Sequence, residues 1–186
     1  MTDAVELVLV SDTHARVIPD EVWAAVGRAD LVVHAGDWTD LATFEAFAER
    51  SANLLACWGN NDGDDLRARM PEVARAVVGD LRVAVIHETG DAKGRERRAD
   101  AWFGPGSDEP ADVVVFGHSH IPWDTTTPGG VRLVNPGSPT DRRREPFCTY
   151  MSGSVHDGAL TVVRHDLPPR HRAGRRQVTD GHGPDE

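Results

Sequence analysis

The chain has 186 residues, enough for one compact domain and short for two, and its 39% hydrophobic content excludes a fully disordered protein. No apolar run approaches the roughly 18 residues of a membrane span, and a net charge of −10 repels nucleic acid and anionic lipid. Two cysteines cannot build a disulfide framework and Met1-Thr2-Asp3 opens no secretory signal, so a soluble cytoplasmic protein is expected.

The first element is a strand over Val5 to Val10, a near-continuous apolar run suited to burial on both faces. After the polar loop from Ser11 to His14, Pro19 opens a helix through Gly27, with Val22, Trp23 and Val26 on one face. Leu31 to His34 reads as a second buried strand, Leu41 to Arg50 as a second helix, and Asn53 to Cys57 as a third strand. This alternation implies right-handed crossovers in a largely parallel sheet. Val73 to Val78 and Leu81 to Ile86 form a hairpin about Gly79-Asp80, and a basic helix covers Lys93 to Phe103. Val113 to Phe116 is a further buried strand, followed by strands at Val131 to Val134, Phe147 to Ser154 and Leu160 to His165. A βαβ half joined to mixed or antiparallel portions suggests an α/β/β/α sandwich, with residues 1–167 as its domain. Pro168 to Glu186 carries Pro, Gly and charge with almost nothing apolar, and is expected to be a disordered tail.

Five loops each follow a predicted strand and carry metal-ligand residue types. They are Asp12-Thr13-His14, Gly36-Asp37, Gly59-Asn60-Asn61-Asp62, His87, and Gly117-His118-Ser119-His120. In an open α/β sheet, the loops beyond the carboxyl ends of the strands gather at one edge, where ligands bind. Asp12 and His14, like His118 and His120, are two residues apart and can turn toward one ion. Singly these are ordinary turn sequences; in this order at successive strand ends they point to a metal centre. Mixed carboxylate, imidazole and amide donors suit Mn²⁺ first, with Fe, Ni²⁺ or Zn²⁺ as alternatives to an all-oxygen Mg²⁺ site.

In this order the motifs resemble the calcineurin-like metallophosphoesterase superfamily, in particular its small single-domain bacterial and archaeal phosphodiesterases. The resemblance runs from about Val5 to Asp166 and includes Asn135-Pro136-Gly137-Ser138. It implies a four-layer α/β/β/α sandwich with mixed sheets and two divalent metal ions. It implies Asp12, His14 and His120 on one metal, Asn60, His87 and His118 on the other, and Asp37 between them. It further implies a metal-bridging hydroxide attacking a small phosphate-ester substrate, most simply a diester, with His118 and Asn61 nearest the substrate oxygens. Nucleic-acid and membrane partners are not expected. A phosphomonoesterase or nucleotide pyrophosphatase is the alternative chemistry, and a protein-binding scaffold with little catalysis the alternative class.

Two positions depart from the family pattern. Asn61 stands where many relatives have a histidine that assists the leaving group, and an amide cannot deliver a proton near pH 7. After His87 the chain reads Glu88-Thr89-Gly90, where glycine and a second histidine are common; Glu88 either orients His87 or faces water. Trp38, Trp58 and Trp123 abut the motifs and are read either as loop anchors or as a rim that stacks on a base or aryl group. His34 is read as a hydrogen-bonded core histidine, Cys57 as a buried structural thiol, and Arg142-Arg143-Arg144 as a solvated run outside the site.

Overall fold

The computed structural model describes residues 4–168, so all of the expected tail but Pro168 lies outside the described residues. Two five-stranded sheets form the centre. In the first, β1 (Val5–Val10), β2 (Leu31–Ala35) and β3 (Leu54–Cys57) run parallel. The long hairpin of β9 (Cys148–His156) and β10 (Ala159–Leu167) is added antiparallel on the other side of β1. The order is therefore β10-β9-β1-β2-β3. In the second sheet, β5 (Leu81–Ile86), β6 (Val113–Phe116) and β8 (Arg132–Asn135) are the parallel strands. β4 (Val73–Val78) and β7 (Trp123–Thr126) close its two edges antiparallel, giving the order β4-β5-β6-β8-β7.

The layers follow from which face each side chain takes. Leu7, Leu9, Val33, Val85, Val115, Val134 and Met151 meet between the sheets as the central core. On the outer face of the first sheet, Val8, Val10 and Val32 pack against α1 (Asp20–Val26) and α2 (Leu41–Arg50) through Val22, Val26 and Phe47. On the outer face of the second, Ala84, Val114 and Phe116 meet Ala99 and Phe103 of one helix, Arg95–Phe103, numbered α4 after the one-turn α3 (Asp64–Arg67). The arrangement is the α/β/β/α sandwich. Helix ends follow their sequence signals. Pro19 stands at the N-cap of α1 and Gly27 at its C-cap, and the Asp40 carboxylate accepts the Thr43 N–H at 2.7 Å to cap α2. None of the helices among the described residues is long and apolar enough to cross a membrane.

The predicted strands and helices recur with ends shifted by a residue or two. The sequence reading has no counterpart for α3 or β7. The first is a single turn, and the second is a four-residue edge strand paired with β8. In α2 only Phe47 is fully buried, and Ala48 beside it is exposed.

Candidate metal centre

All six parallel strands deliver their carboxyl ends to one edge of the sandwich. Asp12 and His14 follow β1, Asp37 follows β2, Asn60 follows β3, His87 follows β5, and His118 and His120 follow β6. The loops are stitched together by their backbones: Asp12 N–H donates to Gly36 O at 2.9 Å, His14 N–H to Asp37 O at 3.0 Å, and Gly117 N–H to His87 O at 3.0 Å. Glycine is required where they cross. A Cβ at Gly117 would overlap Ser11 Oγ and lie 2.8 Å from Asp12 Oδ2, and one at Gly59 would overlap Asp37 Oδ1. Asp12, His14, Asp37, His118 and His120 all take left-handed backbone with φ between 50° and 68°. Such strain persists only where surrounding contacts hold it, and it clusters at functional sites.

Asp12 is fully buried. Its Oδ2 accepts the Ser11 hydroxyl at 2.6 Å and the His118 N–H at 3.0 Å, whereas Oδ1 has no hydrogen-bond partner. Facing that orphaned oxygen are His120 Nε2 at 3.2 Å and His14 Nε2 at 3.8 Å, themselves 3.1 Å apart. His120 Nδ1 lies 2.6 Å from the Asp141 carbonyl. A carbonyl only accepts, so Nδ1 carries a proton and the ring is turned with Nε2 toward Asp12. Burial pushes the His14 imidazole below its usual range, against the pull of Asp37 and Asp12. A buried carboxylate oxygen without a hydrogen bond, faced by two imidazole nitrogens, is a place for a cation.

A second group lies beside it. His87 Nδ1 donates to the Ala35 carbonyl at 2.7 Å, which directs Nε2 toward Asn60 Oδ1 at 3.0 Å and Asp37 Oδ2 at 3.4 Å. Asn60 Oδ1 is also 2.9 Å from His118 Nδ1. Asp37 Oδ2 is 3.7 Å from His14 Nε2, so this one oxygen stands between the two groups. Burial works to raise the Asp37 carboxyl, but the His87 hydrogen bond and charge, with two bonds from Asn61, hold it well below the usual carboxylate range. Burial likewise opposes charge on His87, and Asp37 and Asp12 override it and raise the imidazole. A proton on Nε2 is thus the counter-charge that a metal ion would replace. The seven expected ligands come together: Asp12, His14 and His120 form one set within 4.8 Å, Asp12, Asp37 and His87 another, and Asn60 and His118 adjoin the second.

Asn61 is exposed but bonded back onto the cluster. Its side-chain Nδ2 donates to Asp37 Oδ2 at 2.7 Å and its backbone N–H to Oδ1 at 2.9 Å, so it clamps the central carboxylate. Sequence reasoning missed the buried Asp62, which accepts three backbone N–H groups: Gly59 at 2.7 Å, Thr39 at 2.8 Å and Asp37 at 3.1 Å. It also left Asn135 and Ser138 without a role. Asn135 Nδ2 donates to Gly117 O at 2.8 Å, and the Ser138 hydroxyl donates to Asp12 O at 2.7 Å, so this turn braces two ligand loops from behind.

Trp38 is sealed in the core, donating to Cys57 O at 3.0 Å and stacking on His34 at 3.4 Å between centroids. It is an anchor and cannot belong to a rim. Trp58 and Trp123 are half-buried, each under a guanidinium, from Arg67 at 4.4 Å and Arg95 at 4.9 Å. His34 is the core histidine expected, with Nδ1 accepting the Gly36 N–H and Nε2 donating to Thr13 Oγ1, both at 3.2 Å. Cys57 is buried, and burial with the nearby Asp62 and Asp12 charges pushes its thiol far up, as an inert thiol requires. Glu88 does not orient His87, because both His87 ring nitrogens are taken up by Ala35, Asn60 and Asp37. It faces His118 instead, with Oε1 4.0 Å from Nε2. Arg143, read as part of a solvated run, donates from Nη1 to His118 O at 3.2 Å.

Comparison with known proteins agrees with this geometry. A probable metallophosphoesterase of Methanocaldococcus jannaschii is 30% identical over 156 residues, 80% of this chain and 75% of the relative. A phosphodiesterase of the same archaeon is 22% identical over 152 residues, covering 75% of this chain and 80% of its own. The solution structure of a Thermotoga maritima protein superposes with a TM-score of 0.68 at 26% identity, spanning 88% of this chain and 99% of that one. Residues 5–158, which include every loop described above, match the calcineurin-like phosphoesterase superfamily domain, and the chain belongs to that superfamily.

Proposed function

We propose that the protein is a dinuclear metal-dependent phosphoesterase acting on phosphate diesters. The observation that carries this reading is Asp12 Oδ1, buried without a hydrogen bond and faced by His120 Nε2 at 3.2 Å and His14 Nε2 at 3.8 Å. Asp12, His14 and His120 would hold one ion, Asn60, His87 and His118 the other, and Asp37 Oδ2 would be shared. When bound, such ions activate water and draw charge from the phosphoryl group. The chain's own residues then have defined tasks. Asn61 fixes both oxygens of Asp37 and keeps one side-chain N–H for a phosphate oxygen. His118, with a side chain 42% exposed, and the exposed Asn60 are the ligand-set residues open to substrate. The Asn61 amide cannot protonate a leaving group, which favours esters whose leaving group is already a good one. The phosphodiesterase name of one relative supports the diester preference.

The test is hydrolysis of bis-p-nitrophenyl phosphate by metal-stripped protein with and without Mn²⁺, alongside Asp37→Ala. The expected outcome is Mn²⁺-dependent turnover in the wild type and its loss by at least about a hundredfold in the variant. Wild-type protein that binds two ions and leaves the diester intact would instead favour the scaffold.

A further inference from the structure

Glu88 is the charged side chain that the chemistry above does not use. It follows His87 directly, yet its carboxylate is half-exposed and turned to the outer edge of His118, Oε1 lying 4.0 Å from Nε2. The inner nitrogen of that ring, Nδ1, faces Asn60 at 2.9 Å. One imidazole therefore separates a fixed negative charge from the second ligand group. The loop that carries Glu88 is not free to swing. Arg98 donates to the carbonyls of Thr89 and Lys93, each at 3.0 Å, and to that of Asp91, while Arg95 Nε donates to Thr89 Oγ1 at 3.0 Å. Arg95 is itself buried between Phe116 at 4.8 Å and Trp123 at 4.9 Å. Gly90, with φ of +71°, makes the turn around Arg98. Arg143 brings an opposite charge, but it grips the His118 carbonyl, on the backbone side of the residue. The ring edge belongs to Glu88.

We propose that Glu88 is a specificity-determining residue that discriminates substrates by charge, admitting phosphate monoanions and disfavouring dianions. A diester carries one negative charge; a monoester above its second pKa of about 6 carries close to two. The metal ions attract both, so absolute attraction does not separate them. A carboxylate at the rim acts on the difference, because the additional charge of a monoester meets Glu88 uncompensated. Two unit charges roughly 6 Å apart in a half-exposed setting interact strongly enough to alter relative rates about three- to tenfold. This inference rests on the phosphoesterase reading and deepens it.

The experiment compares wild type with Glu88→Gln, an isosteric change on an exposed side chain, in full-length protein loaded with Mn²⁺. The kcat/KM for p-nitrophenyl phosphate relative to bis-p-nitrophenyl phosphate should rise about three- to tenfold in the variant at low salt. The gain should shrink at about 0.5 M salt, where the Debye length is only a few ångströms. By calorimetry, inorganic phosphate should gain more affinity in the variant than dimethyl phosphate does, by a similar factor. An unchanged ratio overturns the proposal. So does a parallel loss of both activities with weaker Mn²⁺ binding, which would make Glu88 a positioning residue for His118. If the wild type hydrolyses neither ester yet the variant tightens inorganic phosphate more than dimethyl phosphate, the charge discrimination stands and the esterase reading fails.

Discussion

At the scale of single residues, the buried histidines of this molecule are oriented by what their second ring nitrogen touches. His87 and His120 each give one N–H to a backbone carbonyl, which aims the other nitrogen at carboxylates. His34 shares the same region but has a different task. It is fully buried, stacked on Trp38, and satisfied by Thr13 and the Gly36 N–H. Burial first, and then the charge of His87, hold its imidazole well below the usual range, so it folds neutral. An unfolded histidine takes up a proton near pH 6.5. Below that pH the unfolded chain binds one more proton at this position than the folded chain does. The contribution is complete above about pH 6.5, and is lost as pH falls toward the depressed folded value, at about 1.4 kcal/mol per pH unit. Urea unfolding of metal-free protein between about pH 7 and 5 should therefore show a steeper loss for wild type than for His34→Gln, by close to one proton. Equal slopes would mean that His34 is protonated in the fold.

At the scale of elements, the ligand loops are held from behind as firmly as they are presented in front. Gly117 illustrates why. It ends β6 where the Asp12 and Gly36 loops pass, and a methyl group there would overlap Ser11 Oγ and press on Asp12 Oδ2 and Ala35 O. Gly117→Ala should cost about 2–4 kcal/mol in urea or thermal unfolding, and the surviving folded protein should bind Mn²⁺ weakly. A variant with wild-type stability and metal titration would count against this close packing. Much of this was legible in the sequence. The runs of β1, β2 and β6 are apolar because both faces are covered, and each ends in a loop of ligand-type residues. Other features were illegible for physical reasons. Asp62 works by accepting backbone N–H groups from two loops, and a hydrogen bond to main chain leaves no residue pattern. A one-turn helix such as α3 is too short to show a period. The basic look of α4 hides that Arg95 is buried between two aromatic rings, a contact only the tertiary fold creates. Trp38 allowed two readings until its burial decided for the anchor.

At the scale of the whole molecule, an acidic protein of net charge −10 concentrates two of its carboxylates, Asp12 and Asp37, in a fully buried cluster. Buried anions destabilise a fold unless a counter-charge sits beside them. Here the counter-charge within the chain is small: His87 is drawn toward its protonated form, whereas burial keeps His14 from charging. Five ligand-set residues also hold left-handed backbone that the surrounding packing must maintain. Metal binding should relieve the electrostatic part of this load in the native state alone, since the unfolded chain scatters the ligands. At free Mn²⁺ about a hundred times its Kd, linkage gives about 2.7 kcal/mol per site. For a domain of this size that corresponds to a rise in Tm of roughly 5–10 °C, measurable by calorimetry of stripped and reloaded protein. The rise should increase with Mn²⁺ concentration, because the stabilisation is a mass-action effect. In Asp37→Ala it should be largely lost, because that substitution removes the oxygen standing between the two ligand groups. A wild-type Tm indifferent to Mn²⁺ would mean that the cluster is satisfied without metal.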